Sequence, residues 1–298
     1  MVACRAILRE GSKSFAAASL ALPARLRAPA AAIYAFCRVA DDAVDLGDDV
    51  ALAVRQLHAR LDAIYAGTPA DDPVDRAFSE VVLSYSIPKT IPLALLDGFA
   101  WDAEGKRYET LEDLEGYCAR VASTVGVMMT LLMGPREPHV LARACDLGLA
   151  MQLTNICRDV GEDARNGRIY LPLSWLRAAG IDKDELTAAP RFSKALGDIV
   201  ERLLGVAEKY YARSDIGITM LPRDSRLAIR GARLIYSDIG REIAKNNYDS
   251  ISQRAFTSAL RKVWLLLRSF GSLFWRSRDC DIPAEKSVAF LTDVPQQP

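Results

Sequence analysis

Apolar positions recur along the chain at intervals of three and four. Ala, Leu, Arg and Glu fill the steps between them, and alternating β-branched runs are scarce. This period predicts helices almost end to end, punctuated at Pro23, Gly67, Pro88, Gly134-Pro135, Pro172, Gly180, Pro190 and Pro222. The stretches between these marks are long for an ordinary globular protein. Long amphipathic helices bury their apolar stripes best as a bundle around a central space, so the expected fold is all-α. No low-complexity linker or composition break interrupts the pattern. Residues 1–280 therefore read as one domain, and 281–298, ending "TDVPQQP", as a loose tail.

Two polar stripes interrupt the pattern. Tyr34, Arg38, Asp41 and Asp45 follow the spacing i, i+4, i+7, i+11 and fall within an arc of roughly 60°. Gln152, Asn155, Asp159 and Asp163 fall within roughly 80°. Beside the second stripe run Leu149, Leu153, Ile156 and Val160, so these acids border the core, where carboxylates need partners. The bare D-x-x-x-D pattern is weak, because it recurs at Asp45/Asp49 and at Asp71/Asp75, the latter in an expected loop across Pro73. A solvated face is the plain alternative for any one pair. Two pairs flanked by Arg, Asn and Gln on long apolar helices call for something positive between them.

Oxygen ligands without His or Cys suit Mg²⁺, with Mn²⁺ as the alternative, and Mg²⁺ is commonly shared between carboxylates and substrate phosphates. Facing acid stripes would grip a diphosphate and make it a leaving group, so the natural chemistry is ionisation of an allylic diphosphate. The resulting cation needs a dry pocket and aromatic faces. Phe15, Tyr34, Phe36 and Tyr117 are candidates for those faces, or plain core residues.

Composition narrows the field. The 298 residues are half hydrophobic and carry 38 basic against 38 acidic side chains, which argues against a nucleic-acid partner bound by a broad basic surface. Six cysteines without C-x-x-C spacing read as reduced, buried thiols of a cytoplasmic protein. His58 and His139 are the only histidines, leaving little for histidine catalysis. No run reaches the ~18 uninterrupted apolar residues of a membrane span.

The stretches "GSKSF" (11–15), "YAFCRVADDAVD" (34–45), "YCARVASTVG" (117–126), "QLTNICRDVGED" (152–163) and "RNGRIYLP" (165–172) together resemble the squalene/phytoene synthase family. These are head-to-head prenyl transferases of the all-α isoprenoid synthase fold, and the resemblance spans residues 11 to about 254. It implies that Asp41 and Asp45 bind Mg²⁺ at one diphosphate, and that Asp159 and Asp163, helped by Asn155 and Gln152, do so at the other. It implies diphosphate contacts from Ser12, Lys13, Ser14, Tyr34, Arg38, Arg158, Arg168, Tyr170 and Tyr248, and a place for Tyr117 facing the reacting centre. Arg38 and Arg158 read equally as ion-pair partners of the nearby acids, and the two roles are compatible. Ser123 departs from the family's usual glycine, a change small enough to be tolerated.

Substrate length is the open choice within the resemblance. Ala16, Ala17, Ala18, Ser19, Ala30, Ala31 and Ala32 would leave tunnel volume for a twenty-carbon chain; the plain alternative is that Ala favours helix. The expected reaction joins two geranylgeranyl diphosphates into phytoene without NADPH. The alternatives are a dehydrosqualene or hydroxysqualene synthase using farnesyl diphosphate and, more remotely, a silent helical binding homologue. Residues 261–278, with Trp264, Phe270, Phe274 and Trp275 among Arg and Lys, read as a membrane-surface helix or as a final bundle helix with snorkelling arginines. The first would put the protein on the inner face of the membrane, near other carotenoid enzymes.

Overall fold

The structure is a computed structural model that describes residues 1–11, 19, 21–45, 49–275 and 282–294, with the side chains of Asp45 and Val50 excepted. Among these residues there are helices and no strands. In order they are α1 (Val2–Gly11), α2 (Ala24–Asp45), α3 (Val50–Tyr65), α4 (Pro73–Ser84), α5 (Thr90–Ala103), α6 (Leu111–Cys118), α7 (Thr124–Met133), α8 (Pro138–Arg165), α9 (Leu173–Ala178), α10 (Lys183–Ala188), α11 (Lys194–Met220), α12 (Arg223–Lys245), α13 (Ala259–Ser269) and α14 (Ala289–Thr292).

Helix ends follow the predicted punctuation. Asp49 accepts from Leu52 N–H at the start of α3, and Thr110 and Asp113 form a reciprocal capping box at α6. Gly67, Gly134 and Gly180 take positive φ where α3, α7 and α9 stop. Asp75 departs from its expected loop. Capped by Asp72, α4 begins at Pro73, and Asp75 lies buried in its first turn, held by Arg60 at 2.7 and 2.9 Å.

α8 is the axis, packed on α7, α11, α12 and the segment before α7. One apolar core runs from Cys4 to Val294. The stretch 111–133 is not a single α-helix, because Ala119–Ser123 widens into a π-turn that breaks the α register. Ser123 Oγ donates to the Cys145 carbonyl of α8 at 2.9 Å. Gly148 faces it so closely that an added Cβ would lie 2.6 Å from the Ser123 Cα.

Part of the expected loose tail is packed. Residues 282–294 return to the bundle, burying Val288, Leu291 and Val294. Arg143 and Arg213 donate to the Pro283 carbonyl, and Arg213 also pairs with Glu285. Both arginines flank the buried Asp146.

Candidate active site

The second acid stripe lies where α8 approaches α12 and the turn after it. Arg158 clasps Asp159 through Nε at 2.8 Å and Nη2 at 2.6 Å. Arg254 takes the same carboxylate from outside the helix, at 2.7 and 3.2 Å. Burial pushes the Asp159 carboxyl up, but the two guanidinium groups outweigh it and hold it below the ordinary range. Gly161 lets the turn come close enough for this: its N–H donates to the Ser250 carbonyl, and a Cβ there would fall 2.7 Å from the Ile251 carbonyl oxygen. Asp163 has no such clasp. Burial first, and the charge of Asp159 second, push its carboxyl up to about 7, with Arg168 opposing.

On α2, Arg38 pairs more closely with Asp42, at 2.7 Å, than with Asp41, at 3.6 Å. The Asp45 side chain lies outside the described residues, as do Ser12, Lys13 and Ser14. Gly11, just before the last three, packs so tightly on Tyr34 that a Cβ there would fall 2.5 Å from the tyrosine hydroxyl. Asn155 Nδ2 donates to Gln152 Oε1 at 3.5 Å, while the buried Asn155 Oδ1 has no hydrogen-bond partner.

Tyr117 and Tyr170 meet at a residue that no motif marks. Both hydroxyls donate to Asp102 at the end of α5, at 2.6 and 2.7 Å. Their rings stack with centroids 5.2 Å apart, and Tyr108 joins at 5.2 Å from Tyr117. Burial, and then the charge of Asp102, raise both phenols. Tyr117 is not among the residues that line the main cavity.

That cavity, about 300 Å³, is lined almost wholly by apolar groups. Tyr34, Cys37, Gln152, Asn155 and Tyr236 surround its polar end. From there Met151, Gly148, Leu147, Ala144, Arg143 and Val140 line it along α8. The rise from Asn155 to Val140 is about 22 Å at 1.5 Å per residue. Of the expected small residues, Ser19 and Ala30 line it, Ala31 and Ala32 belong to the core, and Ala16–Ala18 lie outside the described residues. Ala122, Gly126, Gly217, Ala228 and Ala232 also widen it. Phe36 is core too, stacked on Phe78 at 4.0 Å.

The apolar channel ends at Gln152 and at Asn155, whose amide oxygen is unpaired, one helical turn before Asp159 on α8. The family description squalene/phytoene synthase matches residues 8–261. The chain belongs to the squalene/phytoene synthase family. It is 53% identical over 272 residues to a phytoene synthase of Rhodobacter capsulatus, covering 90% of this chain and 80% of that one. It is 42% identical to a 15-cis-phytoene synthase of a Paracoccus species, covering 87% of each chain. Among solved structures it is similar to a dehydrosqualene synthase in complex with ligand, with 36% identity, a TM-score of 0.83, and 91% and 95% of the two chains covered. The last comparison carries the isoprenoid synthase fold over to this bundle.

Tyr248 lies away from the cavity lining. It sits in a turn at φ 60°, and its hydroxyl donates to Glu201 at 2.8 Å on the exposed side of α11. Beside Tyr34 at the cavity stands Tyr236 of α12, its phenol pushed up to about 12 by burial with Arg158 opposing. Arg254, Asp102 and Tyr236 were missed because each reaches the site only through tertiary folding.

Proposed function

We propose that this protein is a phytoene synthase, joining two geranylgeranyl diphosphates head to head for carotenoid biosynthesis. The observation that carries the reading is the pairing of acid-bordered α8 with an apolar channel whose lining residues on that helix span about 22 Å. Four isoprene units of ~5 Å each, built from C–C bonds of ~1.5 Å, match that length. The resemblance to a dehydrosqualene synthase favours a second reading, with a fifteen-carbon substrate, which would leave part of the channel unfilled.

The donor chemistry suits a hard cation, although among the described residues no three acids stand together as a ready site. The donors are all oxygens, Asn155 Oδ1 is buried and unpaired, and the raised Asp163 carboxyl marks a place short of positive charge. Asp41, Asp45, Asp159, Asp163 and Asn155 would hold Mg²⁺, or Mn²⁺, which neutralises the diphosphate so that it can leave. Arg158 and Arg254 already stand at the carboxylate and can turn to phosphate oxygens as substrate enters.

The apolar walls exclude water from the allylic cation left by the first ionisation, and the rings of Tyr34 and Tyr236 border it. The double bond of the second substrate attacks that cation, one proton leaves, and prephytoene diphosphate forms. Loss of the second diphosphate, rearrangement and loss of another proton give phytoene, with released diphosphate as the base. The chemistry needs no NADPH. The enzyme works in the cytoplasm, peripheral to the inner face of the membrane and beside enzymes that use its product. Replacing Asp41 or Asp159 by Asn tests the reading: product formation should collapse in each, and unchanged turnover in either would overturn it.

A further inference from the structure

The surface of α13 and its flanks carries an apolar seam that the bundle does not use. Leu260, Val263, Trp264 and Leu267 fall within an arc of about 100°, and all four are exposed, Leu260 to 86% and Leu267 to 62%. Phe256 before the helix and Phe270 and Phe274 after it extend the seam, with Phe256 77% and Phe274 86% exposed. The opposite side of α13 is spoken for, since Leu265 and Leu266 pack on Leu234 and Ile235 of α12. A continuous exposed apolar stripe of this length marks a contact surface.

Charge decides what it contacts. Between Asp249 and Asp279 there is no acidic residue, and there are six basic ones, Arg254, Arg261, Lys262, Arg268, Arg276 and Arg278, in a chain with no net charge. Arg261, which also pairs with Asp238 of α12 at 3.0 Å, and Arg268 lie over the Trp264 ring at 4.3 and 5.6 Å, at one edge of the stripe, where snorkelling cations sit on an interfacial helix. A second copy laid on the same stripe would bring like charges together, whereas an anionic lipid surface complements both the seam and its edge. The stretch 111–133 is also apolar enough to span a membrane, but it is mostly buried in the bundle.

We infer that α13 docks the protein in the plane of an anionic bilayer, with Phe256, Leu260, Leu267 and Phe274 inserted among the acyl chains. The stripe begins two residues after Arg254, the arginine that holds Asp159. On its far side α12 presents Ala228, Ile229, Ala232 and Tyr236 to the channel. One helix therefore separates bilayer from channel, a short path for prenyl tails and a hydrocarbon product. The inference rests on the helix face and not on the choice of substrate.

The test is flotation of the full chain, without substrate, on phosphatidylcholine vesicles with and without phosphatidylglycerol. The protein should float with the anionic vesicles and lose binding as salt rises. The Leu260→Glu/Leu267→Glu variant should lower the partition coefficient about tenfold or more, while turnover in detergent stays unchanged. Phe274→Ser, which removes an almost fully exposed ring, should weaken binding in the same direction should the double variant fail to fold. No flotation of the parent protein, or equal flotation of the variants, would overturn the inference. So would a dimer that the double variant dissolves in the absence of vesicle binding.

Discussion

Arg254 grips Asp159 with two nitrogens, at 2.7 and 3.2 Å, across 95 residues of sequence. The same carboxylate is already clasped by Arg158. Arg254 also reaches Glu162 at 3.3 Å, so the two guanidinium groups balance two acids and can be handed over to a phosphate that arrives with its own negative charge.

Arg254→Gln should therefore cost activity more than stability. A charge-assisted hydrogen bond to phosphate is worth about 1.5–3 kcal/mol, so kcat/KM should fall roughly 10- to 100-fold. The melting temperature should move little, because Arg254 is largely exposed. Steady-state kinetics beside thermal melting checks this.

Asp102 accepts from Tyr117 and Tyr170 at once, so it positions both rings. Asp102→Asn keeps one carbonyl acceptor and puts an amide donor where the second phenol now donates. Loss of a buried acceptor costs about 1–3 kcal/mol, and kcat should fall with KM nearly unchanged. Tyr117→Phe should cost less stability, because Tyr170 still pairs with Asp102. A larger loss in Tyr117→Phe than in Asp102→Asn would contradict the positioning role.

The Asp163 carboxyl, pushed up to about 7, binds a proton that a cation must displace. The sign follows: protons compete with the metal, so Mg²⁺ affinity should weaken as pH falls below about 7 and level off above it. Calorimetric titration across this range should show the dependence, and Asp163→Asn should lose both the pH dependence and much of the affinity.

Asp146 is buried between Arg143 and Arg213, at 2.9 and 3.1 Å. Asp146→Ala would leave the fully buried Arg143 without its carboxylate, a change that typically costs about 3–5 kcal/mol. The melting temperature should drop clearly, and residues 282–294, anchored through Pro283 and Glu285, should gain proteolytic sensitivity first.

Much of this was legible in sequence wherever the signal is local. Pro23, Gly67, Gly134, Gly180 and Pro222 stop or start helices because φ limits and lost donors act on the residue itself. The α8 stripe was legible because a regular helix keeps Gln152, Asn155 and Asp159 on one side. The π-turn at 119–123 was not, since a single widened turn leaves the apolar period nearly intact. Arg254 and Asp102 were hidden because their partners lie 95, 15 and 68 residues away. Tyr248 misled for a related reason: a tyrosine near the right place in sequence sits in a left-handed turn that aims it at Glu201, and Tyr236 takes the wall instead.

The channel argument turns on chain length. The most direct measurement is product analysis after incubating the purified protein with Mg²⁺ and either geranylgeranyl or farnesyl diphosphate, with and without NADPH. The account predicts phytoene from the twenty-carbon substrate, unaffected by NADPH. A thirty-carbon product formed in preference, or no product from either substrate, would contradict it.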